Sequence, residues 1–411
     1  MTEIADMKKR LFISIHYMEI GGAETSLIGL LQAMDYSRYD VDLFVYSHQG
    51  ELMHFIPPEV NLLPEIAGYS HIEKPLMVNI VSGYWRIAFG KIKAKIKHKR
   101  YKNNHTSDKE DYSYQQYMAT SLIDYLPSLY NYGEYDLAIS FMHPHNYVLN
   151  KVKAKKKICW IHTDYSVVHV NVDMELPVWS AYENVISISD DVTRSFLSVF
   201  PTLKDKIVLM ENILSPEFVR NRAEELDVQP VFEACGFRGI RLLSVGRFSY
   251  AKNYDSIPDI CRCIEGIDNT IDYRWFIIGY GQEEQLIRTK IAEAGMEDRI
   301  VILGKRSNPY PYIKACDIYV QPSRYEGKSV TVREAQILCK PVVVTNYPTA
   351  PSQIVDGEEG VIVPLDNQSC AEGIVNFIND TSKQKEIIAY LQTHDYGNEK
   401  EVEKIYHMMS D

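Results

Sequence analysis

Short runs of β-branched and aromatic residues recur along this chain, each followed by a polar or glycine-bearing turn and then by a stretch with helical periodicity. Arg10–Tyr17, Val41–Ser47, Val60–Ile66, Asp136–Met142, Lys157–His162, Asn184–Ser189 and Lys206–Glu211 form one series. Ile240–Phe248, Tyr273–Ile278, Arg299–Leu303, Asp317–Gln321 and Pro341–Thr345 form a second. A continuous apolar run bounded by turns suits a strand buried on both faces, the condition of a parallel sheet covered by helices. Strand and helix alternating over 411 residues exceed one core and suit two. The expected class is therefore α/β, with two Rossmann-like doubly wound domains. They should occupy 1–212 and 213–385, with a hinge in 212–227 where Pro216 interrupts the pattern. A helical segment, 386–411, should pack back on the first domain.

Ligands of such sheets bind at the carboxyl ends of the strands, so the residues just past each run carry the functional argument. After Asp317–Gln321 comes Ser323–Glu334 (SRYEGKSVTVRE), a polar loop leading into a helix expected from about Ser329 to Leu338. The first amides of that helix, near Lys328, Ser329 and Val330, favour an anion, a phosphate above all. Glu326 in the loop and Glu334 in the helix suit sugar hydroxyls. The combination suggests a sugar attached to a phosphate. After Ile240–Phe248, Arg247 and Lys252 offer a forked donor and a point charge that can stabilise a diphosphate leaving group. After Arg10–Tyr17, Gly21 and Gly22 open a helix, read either as a ligand-facing loop or as a tight turn. His143 follows a further run, and His162 and Asp164 follow another. A histidine there is either a ligand contact or a structural hydrogen-bonding residue.

These elements together resemble the retaining glycosyltransferases of the GT-B fold, group 1 or family four. The resemblance rests on Glu326-x7-Glu334, with Gly327 after the first glutamate and Ala335 after the second, on Gly246-Arg247-x4-Lys252, and on Gly279-Tyr280-Gly281. It extends to Gly21-Gly22-Ala23-Glu24, to Trp160–Asp164 and to Gln353–Pro364, all in the family's order, and Asn212 fits the family's crossing between domains. It implies two domains facing a central cleft, a nucleotide-sugar (a UDP- or GDP-sugar) as substrate, and no cofactor or metal. It further implies that Glu326 contacts the donor sugar and that Glu334 binds the ribose. Gly279 and Gly281 would lie beside the donor, backbone at Lys305 and Arg306 would hold the base, His162 would join Glu326 as a catalytic residue by contacting the acceptor or the transferred sugar, and Gly21, Gly22, His143 and Asp164 would lie on the acceptor side. The sequence departs from the family at Lys328 and Ser329, where many members carry an apolar or Phe-Gly turn. Rival readings are an epimerase or phosphorylase on the same fold, for which no pyridoxal-phosphate lysine or epimerase acid set is found, and an inactive sugar-binding scaffold. The nicotinamide-dinucleotide fingerprint is absent, since Glu284 stands where its third glycine would be.

A net charge of −11 argues against nucleic acid as a partner. Seven cysteines without a framework suit a reducing, cytoplasmic setting. The run Leu11–Ile15 is too short for a leader and no run approaches a membrane span. Against this acidic background, Val78–Tyr101 predicts a basic amphipathic helix. Trp85, Ala88, Phe89, Ile92 and Ile96 fall on one face among Arg86, Lys91, Lys93, Lys95, Lys97, Lys99 and Arg100. Residues 85–100 are thus either a docking surface for anionic membrane or a helix covering the sheet with a solvated lysine face. The first option suits a polyprenyl-lipid-linked or glycan acceptor and a peripheral place on the cytoplasmic membrane. Residues 101–114 are expected to be a polar loop.

Overall fold

The computed structural model describes residues 8–410 apart from 20, 106, 108, 167 and 327. The chain divides into two compact units, Met1–Ile213 with Asn398–Asp411, and Leu214–Gly397. Each is built on a parallel sheet. In the first, strands β1 (Lys9–Ile15), β2 (Tyr39–Val45), β3 (Asn61–Leu62), β5 (Glu134–Ser140), β6 (Lys153–Ile161), β8 (Asn184–Ser187) and β9 (Ile207–Leu209) lie in the order β3-β2-β1-β5-β6-β8-β9. A separate two-strand pair joins β4 (Glu110–Asp111) to β7 (Val168–His169). In the second unit, β10 (Ile240–Val245), β11 (Tyr273–Ile278), β12 (Ile300–Gly304), β13 (Ile318–Gln321), β14 (Val342–Thr345) and β15 (Val361–Val363) lie in the order β12-β11-β10-β13-β14-β15. Both expected doubly wound sheets are present. The central strands are buried, and the core is drawn from them: Phe12, Phe44 and Tyr135 in one unit, Leu243, Trp275 and Tyr319 in the other.

Each sheet reverses its winding once, between β1 and β5 and between β10 and β13. At such a reversal the loops leaving two neighbouring strands part to opposite faces, and a crevice opens at their carboxyl ends. The two places where side chains from distant parts of the chain can converge are thereby set.

Several details differ from the sequence expectation. After Asn184–Ser189 the sequence offers Asp190 or Asp191 as a helix cap, but the helix Asp190–Val199 is capped by Ser189, whose Oγ accepts from the Val192 N–H at 3.2 Å, and both aspartates occupy the first turn. The expected strand over Val60–Ile66 shrinks to two residues at the sheet edge. Pro216 starts a helix, Pro216–Ala223, within the expected hinge. The expected polar loop 101–114 contains the end of the helix Trp85–Asn104, β4 and the start of the helix Ser113–Leu122. The C-terminal segment does not return whole. The helix Thr381–Thr393 stays with the second unit, where Ile387 and Leu391 are buried. The return begins at Asn398, whose Nδ2 donates to the Asn212 carbonyl at 3.0 Å. Tyr406 then stacks on Tyr39 with ring centroids 4.3 Å apart. No helix among the described residues is long and apolar enough to cross a membrane.

Gly29, inside the helix Gly22–Ala33, lies against the carbonyl of Ile213 so closely that a Cβ there would overlap it. On an exposed helix, Gly→Ala stabilises by about 1 kcal/mol. Here Gly29→Ala should destabilise by about 2 kcal/mol through overpacking, a fall of about 4–8 °C in Tm for a unit of this size. A thermal melt that stays level or rises would contradict this packing.

Candidate functional site

The loops leaving β10 and β13 meet at the second unit's winding reversal. The first loop runs through Gly246, Arg247 and Phe248 into a turn at Tyr250–Lys252. Asn253 follows in the left-handed region at φ 60°, and the helix Ile257–Ile267 begins after a second short turn. The second loop runs from Pro322 to Ser329 and enters the helix Val330–Ile337. Two ion pairs tie them. Lys252 Nζ donates to Glu326 Oε1 at 2.6 Å. Arg324 forks onto the two oxygens of the buried Asp255 at 2.8 and 3.0 Å, and Lys290 reaches the same carboxylate at 3.1 Å. Arg324 also donates to the Tyr250 carbonyl at 2.7 Å, and its guanidinium lies 4.1 Å from that ring's centroid. The bidentate link holds two loops rigid where a single hydrogen bond would not.

Beneath Glu326 is a relay of neutral groups. Glu326 Oε1 accepts from Ser323 Oγ at 2.6 Å and from Gln321 Nε2 at 3.3 Å. Gln321 Oε1 in turn accepts from Tyr319 at 2.8 Å and Thr331 at 3.3 Å. Thr349 donates to the Glu326 carbonyl at 2.9 Å. Glu326 is thus fixed through both side chain and backbone. Arg247 is exposed on the same loop as Lys252 and has no hydrogen-bond or ionic partner among the described residues. Sequence reasoning found Arg247, Lys252 and Glu326 but missed Arg324, Asp255, Ser323 and Gln321. Arg324 and Asp255 carry no spacing signal because each finds its partner 69 positions away, whereas Ser323 and Gln321 lie three and five residues from Glu326 and need the loop's geometry to be recognised.

Glu334 has a different environment. It is buried, with Oε1 accepting from the Tyr310 hydroxyl at 2.9 Å. Burial pushes its carboxyl up to about 7, a rise that the Tyr310 hydrogen bond and the nearby Arg222 only partly oppose. The two glutamates therefore differ in partners: Glu326 has a cation, Glu334 a phenol. The helix start also departs from expectation. The Ser329 N–H is not open to an anion, because it donates to Gln353 Oε1 at 3.0 Å while Gln353 Nε2 returns a bond to the Ser329 carbonyl at 2.6 Å. Lys328 is exposed, Val330 opens the helix, and Gly327 lies outside the described residues.

Gly279 and Gly281 have a packing reason to be glycine. Cβ atoms there would overlap the carbonyls of Gly246 and Phe248, because the loop after β11 runs against the loop after β10. Phe248 N–H donates to Tyr280 O at 2.9 Å across that contact. Nearby, the exposed Lys305 lies over the Tyr280 ring at 5.3 Å. Arg306 lies 5.9 Å from the centroid of Tyr312, and its buried Nε has no hydrogen-bond partner among the described residues.

In the first unit the reversal between β1 and β5 gathers histidines. His16 follows β1, His143 and His145 follow β5, and His162 follows β6. His143 is engaged by Gln115 at 3.1 Å and by the buried Glu175 at 3.4 Å, which also takes Trp179 Nε1 at 3.1 Å. His145 is buried against Ser140 at 2.8 Å, and burial with three neighbouring histidines holds its pKa well below the usual range. Burial pushes His162 down to about 4, leaving a neutral imidazole whose shielded Nε2 has no partner among the described residues. Sequence reading selected His143 and His162 but not His16 and His145, although each lies just past a strand end. At Gly21 the flexible Glu24 carboxylate folds back into the space a Cβ would fill, whereas Gly22 has open space beside it. Asp164 closes a turn by accepting from the Ser166 N–H at 2.8 Å. Among the described residues no cluster of three or more His, Cys, Asp or Glu is placed to hold a metal.

Comparison with known proteins bears on this geometry. Residues 238–394 match the family model for glycosyl transferases group 1. Over 159 residues the chain is 26% identical to the Campylobacter jejuni N-acetylgalactosamine-N,N'-diacetylbacillosaminyl-diphospho-undecaprenol 4-alpha-N-acetylgalactosaminyltransferase, covering 38% of this chain and 42% of that protein. Over 161 residues it is 24% identical to the amylovoran biosynthesis glycosyltransferase AmsD of Erwinia amylovora, covering 39% and 45%. These matches span less than half the length of either relative. Among solved structures, Anabaena HepE in complex with UDP and glucose superposes with a TM-score of 0.66 at 15% identity, covering 98% of this chain and 99% of that one. A variant of S. aureus TarM, solved with fondaparinux, alpha-GlcNAc-glycerol and UDP, gives 0.65 at 13% identity, covering 98% and 100%. At such identities the likeness concerns the fold, which is GT-B.

The raised Glu334 carboxyl has a direct consequence. A folded-state pKa near 7 against an ordinary 4.5 means that the folded protein holds this proton more tightly than the unfolded chain. The associated stability is complete below the ordinary value and is lost as pH rises toward 7, by up to about 3 kcal/mol. Glu334→Gln, neutral throughout, should gain in Tm relative to the native protein as pH rises from 4.5 to about 7. A Tm difference that does not change with pH would show that Glu334 is charged throughout.

Proposed function

We infer, from the premise that the second unit of this chain belongs to the group 1 glycosyl transferases, that the protein moves a sugar from a nucleoside diphosphate to a glycan or lipid-linked acceptor with retention at the anomeric carbon. The observation that carries this reading is the meeting of Lys252 and Glu326 at the carboxyl ends of β10 and β13, in contact at 2.6 Å, with the exposed Arg247 on the same loop as Lys252. The roles follow from charge. The bond from the anomeric carbon to the diphosphate breaks with its electron pair on the phosphate oxygen, and Arg247 and Lys252 stabilise the charge that accumulates there. The acceptor oxygen bonds to the anomeric carbon, and its proton passes to the departing diphosphate. Glu326 supports positive charge at the sugar ring and orients its hydroxyls. Glu334, with one carboxyl oxygen taken by Tyr310, offers the other to the ribose diol.

Arg324 and Asp255 act as positioning residues, since their fork sets the distance between the loops that hold Lys252 and Glu326. Arg247 and Lys252 supply cationic charge that a divalent ion would otherwise provide. The donor is a UDP- or GDP-sugar; UDP is bound in the HepE and TarM complexes. A polyprenyl-diphosphate-linked acceptor is supported by the activity for which the Campylobacter relative is named, and envelope polysaccharide synthesis by the Erwinia one. His162, neutral and with a shielded Nε2 that lacks a partner among the described residues, contacts the acceptor or the transferred sugar, and Gly21, Gly22, His143 and Asp164 belong to the acceptor side.

Glu326→Ala, Arg247→Ala and Lys252→Ala should each lower turnover by about two to four powers of ten, as for lost charge stabilisation, while the thermal melt stays cooperative. Near-native transfer by all three would overturn the assignment. Transfer should also persist in excess chelator. Loss restored by magnesium or manganese would show that a divalent ion, rather than Arg247 and Lys252, carries the charge of the leaving diphosphate.

A further inference from the structure

The helix Trp85–Asn104 and its short neighbour Leu76–Val81 expose most of their large apolar side chains, Ile87 being the buried exception in the longer helix. A helix that merely covers a sheet buries them. Here the buried positions are Ile87, Ala88, Gly90 and Ala94, and Gly90 packs so close to Leu122 and the Ser121 carbonyl that a Cβ there would push the Leu122 side chain aside. The structure therefore removes Ala88 from the apolar stripe. Trp85 is 63% exposed and Phe89 59%, and Ile92 and Ile96 are exposed too. These four recur at helical spacing along about 16 Å of one face. Met77, Val78 and Val81 extend the patch, with Val81 83% exposed.

This exposure is built rather than frayed. Asn79, between the exposed residues of the short helix, is fully buried and donates to the His71 carbonyl at 3.1 Å. Tyr84, at the turn, stacks on His71 with centroids 3.8 Å apart. Charge completes the pattern. Residues 74–107 contain nine lysines and arginines and no carboxylate, in a chain of net charge −11. Lys91 is tied to the Lys74 carbonyl. Arg86, Lys93, Lys95, Lys97, Lys99 and Arg100 are exposed and have no ionic partner among the described residues. At 3.6 residues per turn, Lys93, Lys97 and Arg100 flank the stripe on one side and Lys95 and Lys99 on the other.

We propose that these two helices form a docking surface for an anionic lipid bilayer. The apolar stripe enters the interface among the acyl chains, and the lysines reach outward to headgroup phosphates on both flanks. Acidic surface elsewhere on the chain is repelled, so the contact is also oriented. The surface brings the first unit to where a lipid-linked acceptor resides, yet its stripe and charges stand independently of the transferase reading.

The test uses the full chain and phosphatidylcholine vesicles with and without phosphatidylglycerol. Trp85 is a built-in probe, because Trp160, Trp179 and Trp275 are 3%, 1% and 0% exposed. Binding to anionic vesicles should weaken with salt. It should be accompanied by a blue shift of tryptophan emission and quenching by brominated lipid, both lost in Trp85→Phe. Joint replacement of Lys93, Lys95, Lys97 and Lys99 by Gln should weaken binding on the order of 100-fold, with an unchanged thermal melt. No binding to anionic vesicles at low salt overturns the proposal, as does binding that is indifferent to these lysines or silent at Trp85. A stable dimer that buries the stripe and ignores vesicles overturns it as well. None of these readouts involves sugar transfer, so either reading can fail alone.

Discussion

The contact between Lys252 and Glu326 joins residues 74 positions apart, and it exists because β10 and β13 are neighbours in the second sheet. The loops of consecutive strands such as β10 and β11 leave on the same side and pack on one another, as Gly279 does on Gly246. Only at the reversal do two loops part and then face each other. Everything in the candidate site follows from that placement. Arg324 clamps Asp255, Ser323 and Gln321 support Glu326, and Lys252 and Arg247 lie on the opposite loop.

Burial then differentiates groups that are alike in sequence. Glu326 and Glu334 are both glutamates of one motif, yet one is held by a lysine and the other is nearly sealed with a tyrosine. In the first unit, burial holds His145 and His162 neutral, and the neighbouring histidines add to the effect at His145. Their chemistry is that of neutral hydrogen-bonding groups. Ser329 illustrates the same point for the backbone. A helix start read as an anion site has one amide already taken by Gln353.

The basic helix shows the limit of periodicity. Its apolar residues share a face whether that face looks inward or outward. What turned it outward is the close approach of Gly90 to the helix Ser113–Leu122, which gives the small residues the inner face.

The chain by itself determined two parallel sheets, since apolar runs bounded by turns admit little else, and it marked the candidate residues at the strand ends. Arg247, Lys252, Glu326 and Glu334 were legible because their types and spacings form a pattern within one segment each. Tertiary structure alone decided which of these touch, which are charged and which face of a helix is wet. Ser189 rather than Asp190 as a cap, Asp255 beneath Arg324, and the return of the chain only from Asn398 were beyond sequence reading. The Ser189 cap is a local choice, three residues from its partner Val192, whereas the other two share a physical reason. Partner choice and desolvation depend on distances between segments far apart in the chain, and those distances are set by strand order and packing rather than by local residue pattern.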